Sequence, residues 1–320
     1  MENNNKREIL IINNETTDSA FEYFTNEIYP RRIPVILRKF SIGSCINKWT
    51  PDYLSKQLGE HIVKVHVSTQ EKMDFIQKNF IYRTMSFSEL IKRVISSHQN
   101  DFFLSETEMY YLRSLGENPR KDPANIQKQF PKIANDIEFP PFFQEQQFFS
   151  SVFRISSPKL CLWTHYDIMD NFLIQVTGHK RCVLFPPSDV LNLYLKGDKS
   201  EVLDIDNPDI KKYPNFKNVI WHECILQPGD ILFIPALWFH NVTALSFSIA
   251  VNVFWKNLED TYYDKKDIYG NKDLILANNA FDHLEKALRS IKDLPSDYRK
   301  FYACRLISKI QETLKETGDS

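Results

Sequence analysis

Short apolar runs separated by turn residues dominate the chain from Phe148 to Trp255. FLIQV (172–176), CVLF (182–185), ILFI (231–234) and FSIAVNVF (247–254) are divided by Gly178, Pro186-Pro187, Pro228-Gly229-Asp230 and Pro235. Runs this short, bounded by Gly and Pro, predict strands, and helical periodicity is nearly absent between them. The pattern therefore predicts an antiparallel sandwich or jelly roll. Upstream the texture is mixed. From Asp18, the residues Phe21, Phe24 and Ile28 have helical spacing, and Pro30 is expected to end that helix. Pro34-Val-Ile-Leu reads as a short buried strand, and His61–Val67 alternates with Val63, Val65 and Val67 on one face. Ser86 and Glu89 form a capping box ahead of Leu90, Ile91, Val94 and Ile95, so a helix begins there. The polar stretch Gly116–Pro141, broken by Pro119, Pro123, Pro131 and Pro140, reads as an irregular excursion over the surface. Downstream, Phe281, Leu284, Leu288 and Ile291 share a helical face. Pro295 interrupts, and Tyr298, Tyr302 and Ile310 belong to a second amphipathic helix. An apolar stripe needs a partner, so this pair is expected to be a lid or an oligomer interface.

Composition narrows the class. Hydrophobic residues make up 42% and charged residues 25%, with 24 Phe against 8 Gly, which excludes a disordered or collagenous chain. No apolar run approaches the roughly 20 residues that span a bilayer. The opening MENNNKREILII lacks a secretory cleavage signature, and the five cysteines (Cys45, Cys161, Cys182, Cys224, Cys304) are scattered without a CxxC pair. These features predict an intracellular, cytoplasmic protein with free thiols and no transmembrane segment. The net charge of −1 means that any nucleic-acid binding would need a local basic patch.

The informative chemistry lies in Leu162-Trp-Thr-His165-Tyr-Asp167. Residues two apart on a strand point to the same side, so one imidazole and one carboxylate converge. A second histidine, His240, closes IPALWFH after the turn Gln227-Pro-Gly-Asp230. Two imidazoles and one carboxylate on one face of an octahedron leave three positions open, as non-haem iron(II) oxygenases require. An HxD tripeptide alone reads more readily as part of a solvent-facing strand. Lys180, in the hairpin Thr177-Gly-His-Lys-Arg, is costly inside a β-barrel unless it meets an anion; in isolation it also reads as a solvated hairpin lysine. Asn171 and Asn252 interrupt buried strands, as co-substrate contacts or as satisfied core amides.

In order, HYD, NFLIQVTGHKRCVLFPP, PGDILFIPALWFHNV and VNVFWK make the run Phe148–Lys256 resemble the JmjC family of cupin-fold oxygenases. The similarity is to the hydroxylase branch that includes the asparaginyl hydroxylase of hypoxia-inducible factor. This resemblance implies a mainly β fold: a double-stranded β-helix (jelly-roll, cupin-like JmjC core, about 105–258) with N-terminal α/β decoration and C-terminal helices. It implies iron(II) on His165, Asp167 and His240, with 2-oxoglutarate and O₂ as co-substrates. Lys180 and Tyr111 would take the distal carboxylate, with Asn171 and Asn252 beside the co-substrate. The family's threonine three residues before the first histidine is Leu162 here, which leaves that hydrogen bond to Thr164 or Tyr111. KWTPDYLS, YYLRSLGENPRKD, LYLKGDKSEVLDIDNPD and YGNKD extend the similarity to the tRNA-hydroxylating members of the branch. That similarity implies phenylalanine tRNA as partner, hydroxylated at the wybutosine precursor base beside the anticodon. It also implies a homodimer through a helical element at 273–320, following an oxygenase domain at 1–272. A protein side-chain hydroxylase and a non-catalytic cupin that binds RNA or protein are the alternatives. Candidate tRNA contacts are Arg113, Arg120, Lys121, Lys128, Lys132, Arg154, Lys159, Lys180, Arg181, Lys196 and Lys199, with Tyr110, Phe149 or Trp238 to receive an unstacked base.

Overall fold

Turn residues cut the chain into strands that pair into two sheets. The computed structural model describes residues 6–14 and 17–316. The N-terminal part supplies β1 (Lys6–Glu8), β2 (Leu10–Asn13), β3 (Val35–Arg38), β4 (Ile62–Ser68), β5 (Phe80–Ser86) and β6 (Met109–Arg113). The central part begins with β7 (Phe148–Ser156), β8 (Cys161–His165), β9 (Asp170–Thr177), β10 (Lys180–Phe185), β11 (Leu195–Lys196) and β12 (Lys199–Ser200). It continues with β13 (Trp221–Leu226), β14 (Ile231–Ile234), β15 (Phe239–Ala244) and β16 (Ser248–Trp255). One sheet runs β1-β13-β10-β15-β8-β12-β11 and the other β2-β3-β14-β9-β16-β7-β6-β4-β5, the two sheets of a cupin-like jelly roll.

The apolar runs are continuous because the central strands β9, β10, β14 and β16 are buried on both faces. In β9, Leu173 points between the sheets to a core with Leu232, Ala250, Cys182, Leu184 and Val242. Its neighbours Phe172 and Ile174 point the other way, onto a second core with Phe24, Ile28, Trp49, Leu54 and Leu90 from the N-terminal helices. The outer face of β10 packs Val183 and Phe185 under Leu193, Val202, Phe216 and Trp221. Full burial of a Phe or Leu contributes about 1.5–3 kcal/mol, so these layers hold the site rigidly. Gly178 makes the turn into β10 at φ +75, where a Cβ would come within 2.0 Å of the Phe247 carbonyl oxygen. Only glycine fits there.

Three local expectations change. The first helix does not end at Pro30. After Thr17–Tyr23 it widens into a π turn at Phe24–Ile28, with Tyr29 N–H reaching Phe24 O, and closes at Arg32 with φ 53. Pro30 sits in the first turn of the following segment, where no N–H is demanded of it. The excursion 116–141 does not stay on the surface, since Ile126, Phe130, Ile133 and Ile137 enter the core around a helical turn at Ile126–Gln129. On β4, His66 and Ser68 are buried as well as the valines, because the end of that strand lies inside the fold. Ser86 caps the helix Phe87–Ile95 as the sequence predicts, accepting from Glu89 N–H.

The chain divides into two compact units, Met1–Asp260 with Lys265–Lys272, and Thr261–Asp264 with Asp273–Ser320. The smaller holds helices Ile275–Ser290 and Ser296–Glu316, on which Phe281, Leu288, Phe301, Ile307 and Ile310 are exposed. Among the described residues, no helix is long and apolar enough to cross a membrane. All five cysteines are free.

Candidate metal centre and its two cavities

Strands β8 and β15 are neighbours, with His165 opposite His240 in register. Asp167 follows β8 by two residues, and the ligand atoms of His165, Asp167 and His240 lie within 4.8 Å of one another. The imidazole centroids are 4.3 Å apart, and His240 Nε2 is 3.5 Å from Asp167 Oδ2. Each ring's Nδ1 faces a backbone oxygen, Trp163 O at 3.0 Å for His165 and Trp238 O at 3.2 Å for His240. A carbonyl only accepts, so Nδ1 carries the proton and Nε2 keeps its lone pair toward the cluster. Burial pulls both imidazoles down to about 4, so they are neutral donors near pH 7. Burial raises the Asp167 carboxyl, with His240 and Arg154 opposing that rise. The loop before His240 is pinned to the same point. Leu237, at φ 71, donates its N–H to Asp167 O at 2.8 Å. Left-handed backbone costs a leucine about 1–2 kcal/mol, which that loop sustains while joining two donor-bearing segments.

Two cavities meet at His165. The inner one is narrow and holds a chain of polar groups. Lys180, at 3% exposure, donates from Nζ to Ser248 Oγ at 2.6 Å, and burial lowers its pKa to about 7. Tyr111 accepts from Arg154 Nη1, Arg154 Nε donates to Asn252 Oδ1, and Asn252 Nδ2 donates to Asn171 Oδ1 at 2.9 Å. The amide nitrogen of Asn171 is buried without a partner among the described residues. Lys180, Tyr111 and Asn252 reach the cavity wall; Asn171 is not on it and backs Asn252. Leu162 lines the wall, but Thr164 does not replace the missing threonine: its hydroxyl accepts from Asn241 Nδ2 at 3.3 Å. Arg154, expected as a tRNA contact, lines this cavity, and Ser156 on its wall and Ser248, which accepts from Lys180, were not anticipated. A lone arginine or serine in SSVFRISS or LSFSIA looks like the solvated side of a strand, and only the sheet pairing turns it inward.

The outer cavity, ≈ 340 Å³, opens beside His165 and Asp167 and is walled by Phe75, Tyr82, Trp163 and Tyr269 with Arg113 and Lys199. The aromatics proposed from sequence are elsewhere. Tyr110 is fully buried and donates to Glu108, Trp238 donates its indole N–H to Arg32 O at 2.8 Å, and Phe149 lines neither cavity. Among the basic candidates, Lys180 faces the inner cavity, Arg154 lines both cavities, and Arg181 is paired with Glu223 and Asp206. Arg120, Lys121, Lys128, Lys132, Lys159 and Lys196 are exposed.

Residues 21–261 match the family described as Cupin-like domain. The chain is 57% identical to tRNA wybutosine-synthesizing protein 5 of Danio rerio over 92% of its own length and 90% of that protein. Against the Homo sapiens protein of the same name it is 57% identical, over 91% and 92%. It is 38% identical to tRNA wybutosine-synthesizing protein 4 of Gibberella zeae, covering 89% of this chain but 27% of that longer protein.

Proposed function

Because the chain belongs to the cupin-like family of the tRNA wybutosine-synthesizing protein 5 relatives, we propose that it is a 2-oxoglutarate-dependent hydroxylase of the wybutosine precursor base in phenylalanine tRNA, yielding hydroxywybutosine. The observation that carries the reading is one juxtaposition. A His-Asp-His cluster lies between a narrow cationic pocket and a wider aromatic cavity, so two different ligands can reach one centre.

The donor set fits iron(II). Two neutral imidazole nitrogens and one carboxylate, with no thiolate among them, suit a divalent first-row metal and leave room for exchangeable ligands. His165, Asp167 and His240 would hold it. When bound, iron(II) supplies the O₂ chemistry that couples decarboxylation of 2-oxoglutarate to hydroxylation of the substrate. The protein's own part is binding and exclusion. Lys180 and Tyr111 take the distal carboxylate of 2-oxoglutarate, a charge-assisted contact strengthened by the dry pocket. Arg154 and Asn252 fix the tyrosine from behind, and Asn171 fixes Asn252. Leu162, Leu173, Ile234 and Val242 exclude water around the chain of the co-substrate. The outer cavity receives the base, which must leave the anticodon stack to be reached.

Residues 273–320 form the dimerisation element in this reading. Phe281, Leu288, Phe301 and Ile310 are exposed on its two helices, and a second copy would cover them. The protein acts in the cytoplasm on tRNA bound through exposed lysines and arginines. Succinate release stimulated by phenylalanine tRNA carrying the precursor base, and not by a peptide, tests the assignment; the reverse preference would make the protein a side-chain hydroxylase.

A further inference from the structure

Arg113 and Arg154 stand directly opposite each other where β6 pairs with β7. Like charges at such a position destabilise a sheet. Arg154 is accounted for by Tyr111 and Asn252. Arg113 is not. It is half-buried, lies 5.4 Å from the centre of the Tyr269 ring, and makes one long contact, 3.5 Å, to Tyr269 O. Neither arginine forms an ion pair among the described residues, and the carboxylate nearest in influence to Arg113 is Asp167, which belongs to the metal cluster. The cavity around Arg113 has aromatic walls: Phe75 and Trp163 have ring centroids 4.4 Å apart, and Tyr82 and Tyr269 also line it. The indole N–H of Trp163 is buried with no acceptor among the described residues. A donor without an acceptor and a guanidinium without an anion thus border one cavity.

We infer that the outer cavity is a receptor for a nucleotide that offers a planar aromatic base together with an anionic group, with Arg113 as the cation that takes the anion. This deepens the tRNA-base reading and rests on it. Aromatic faces are a generic platform for a base, whereas a half-buried guanidinium confers choice, because it binds an oxyanion with two parallel N–H donors and leaves a neutral analogue with an unmet charge. The inner pocket already has Lys180 for the co-substrate carboxylate. Of the four lysines and arginines on the outer cavity, Arg154 is tied to Tyr111 and Asn252, Lys199 is paired with Asp198 and Lys64 is exposed, which leaves the half-buried Arg113 for the second ligand. The anion is either a carboxylate on the base's own side chain or a phosphate of the nucleotide backbone.

The experiment uses the full-length protein with Arg113→Gln and Arg113→Lys. Equilibrium tRNA binding and steady-state kinetics are measured on tRNA whose target base carries a free carboxyl or its methyl ester. Arg113→Gln is expected to weaken tRNA binding and raise KM for tRNA by roughly 10-fold or more, the scale of a lost charge-assisted pair, with the affinity for 2-oxoglutarate unchanged. Arg113→Lys should recover part of the loss, and keeps the test available if the glutamine variant folds poorly. A loss confined to the free-carboxyl substrate identifies the side-chain carboxylate; an equal loss on both identifies a phosphate. Active wild-type protein whose Arg113→Gln variant binds and turns over both substrates unchanged overturns the inference alone. Wild-type protein that never hydroxylates tRNA overturns the functional reading, and this inference with it.

Discussion

His165 and His240 are held as neutral imidazoles by burial and by carbonyls on Nδ1, so their removal should affect chemistry more than folding. His165→Ala, Asp167→Ala and His240→Ala are each expected to abolish hydroxylation and iron binding while the circular dichroism spectrum stays that of the wild type. Wild-type turnover in any one of them would remove that residue from the ligand set. Lys180 carries a pH signature. Burial depresses its pKa from 10.5 to about 7, so before an anion binds the amine is a mixture of charged and neutral forms near neutrality. An anion requires the charged form. Affinity for 2-oxoglutarate should therefore fall as pH rises above about 7, and Lys180→Arg should flatten that dependence, since arginine stays protonated. Stability runs the other way. The unfolded chain binds the extra proton between about 7 and 10.5, so the Lys180 burial penalty fades as pH rises through that window. Lys180→Ala should weaken 2-oxoglutarate by about 1.5–3 kcal/mol, and Tyr111→Phe by less, measured by calorimetry. An unchanged affinity in Lys180→Ala would place the carboxylate elsewhere.

At the scale of elements, the turns position the site as much as the strands do. Gly178 sets the entry to β10 and hence the place of Lys180, at a φ that other residues resist. Gly178→Ala should destabilise by more than about 1 kcal/mol and lower 2-oxoglutarate affinity together, read by denaturant titration and calorimetry. A variant as stable as the wild type would show that the turn relaxes freely. The same elements explain what the sequence made legible. HxD spacing, the distal His240 and the Gly-x-Lys hairpin are local signatures, so the convergence of His165, Asp167 and His240 and the inward place of Lys180 could be read from them. The inward places of Arg154, Arg113 and Ser248 could not: the two arginines read only as candidate tRNA contacts, because a single polar residue in an apolar run gives no sign of which sheet face it occupies. Tyr110 and Trp238 were attractive as base platforms by type and position, yet Glu108 and the Arg32 carbonyl engage their polar atoms inside the fold. Phe75 and Trp163, which do line the cavity, meet only through tertiary pairing.

At the scale of the molecule, the jelly roll was legible because its central strands are covered on both faces, which leaves short continuous apolar runs between obligatory turns. The path of residues 116–141 was not, because polar and proline-rich composition hides the widely spaced Ile126, Phe130 and Ile133 that anchor it. The exposed apolar residues on helices Ile275–Ser290 and Ser296–Glu316 predict a symmetric dimer, and light scattering at micromolar concentration should give twice the chain mass; a clean monomer would contradict it. Since the net charge is −1, tRNA must be gripped locally, and its affinity should fall steeply with salt. The central claim is tested most directly by mass spectrometry of nucleosides from phenylalanine tRNA carrying the wybutosine precursor, after incubation with the protein, iron(II) and 2-oxoglutarate. The expected result is a gain of one oxygen on that base, lost when iron or 2-oxoglutarate is omitted; an unmodified base alongside succinate released by a peptide substrate would contradict it.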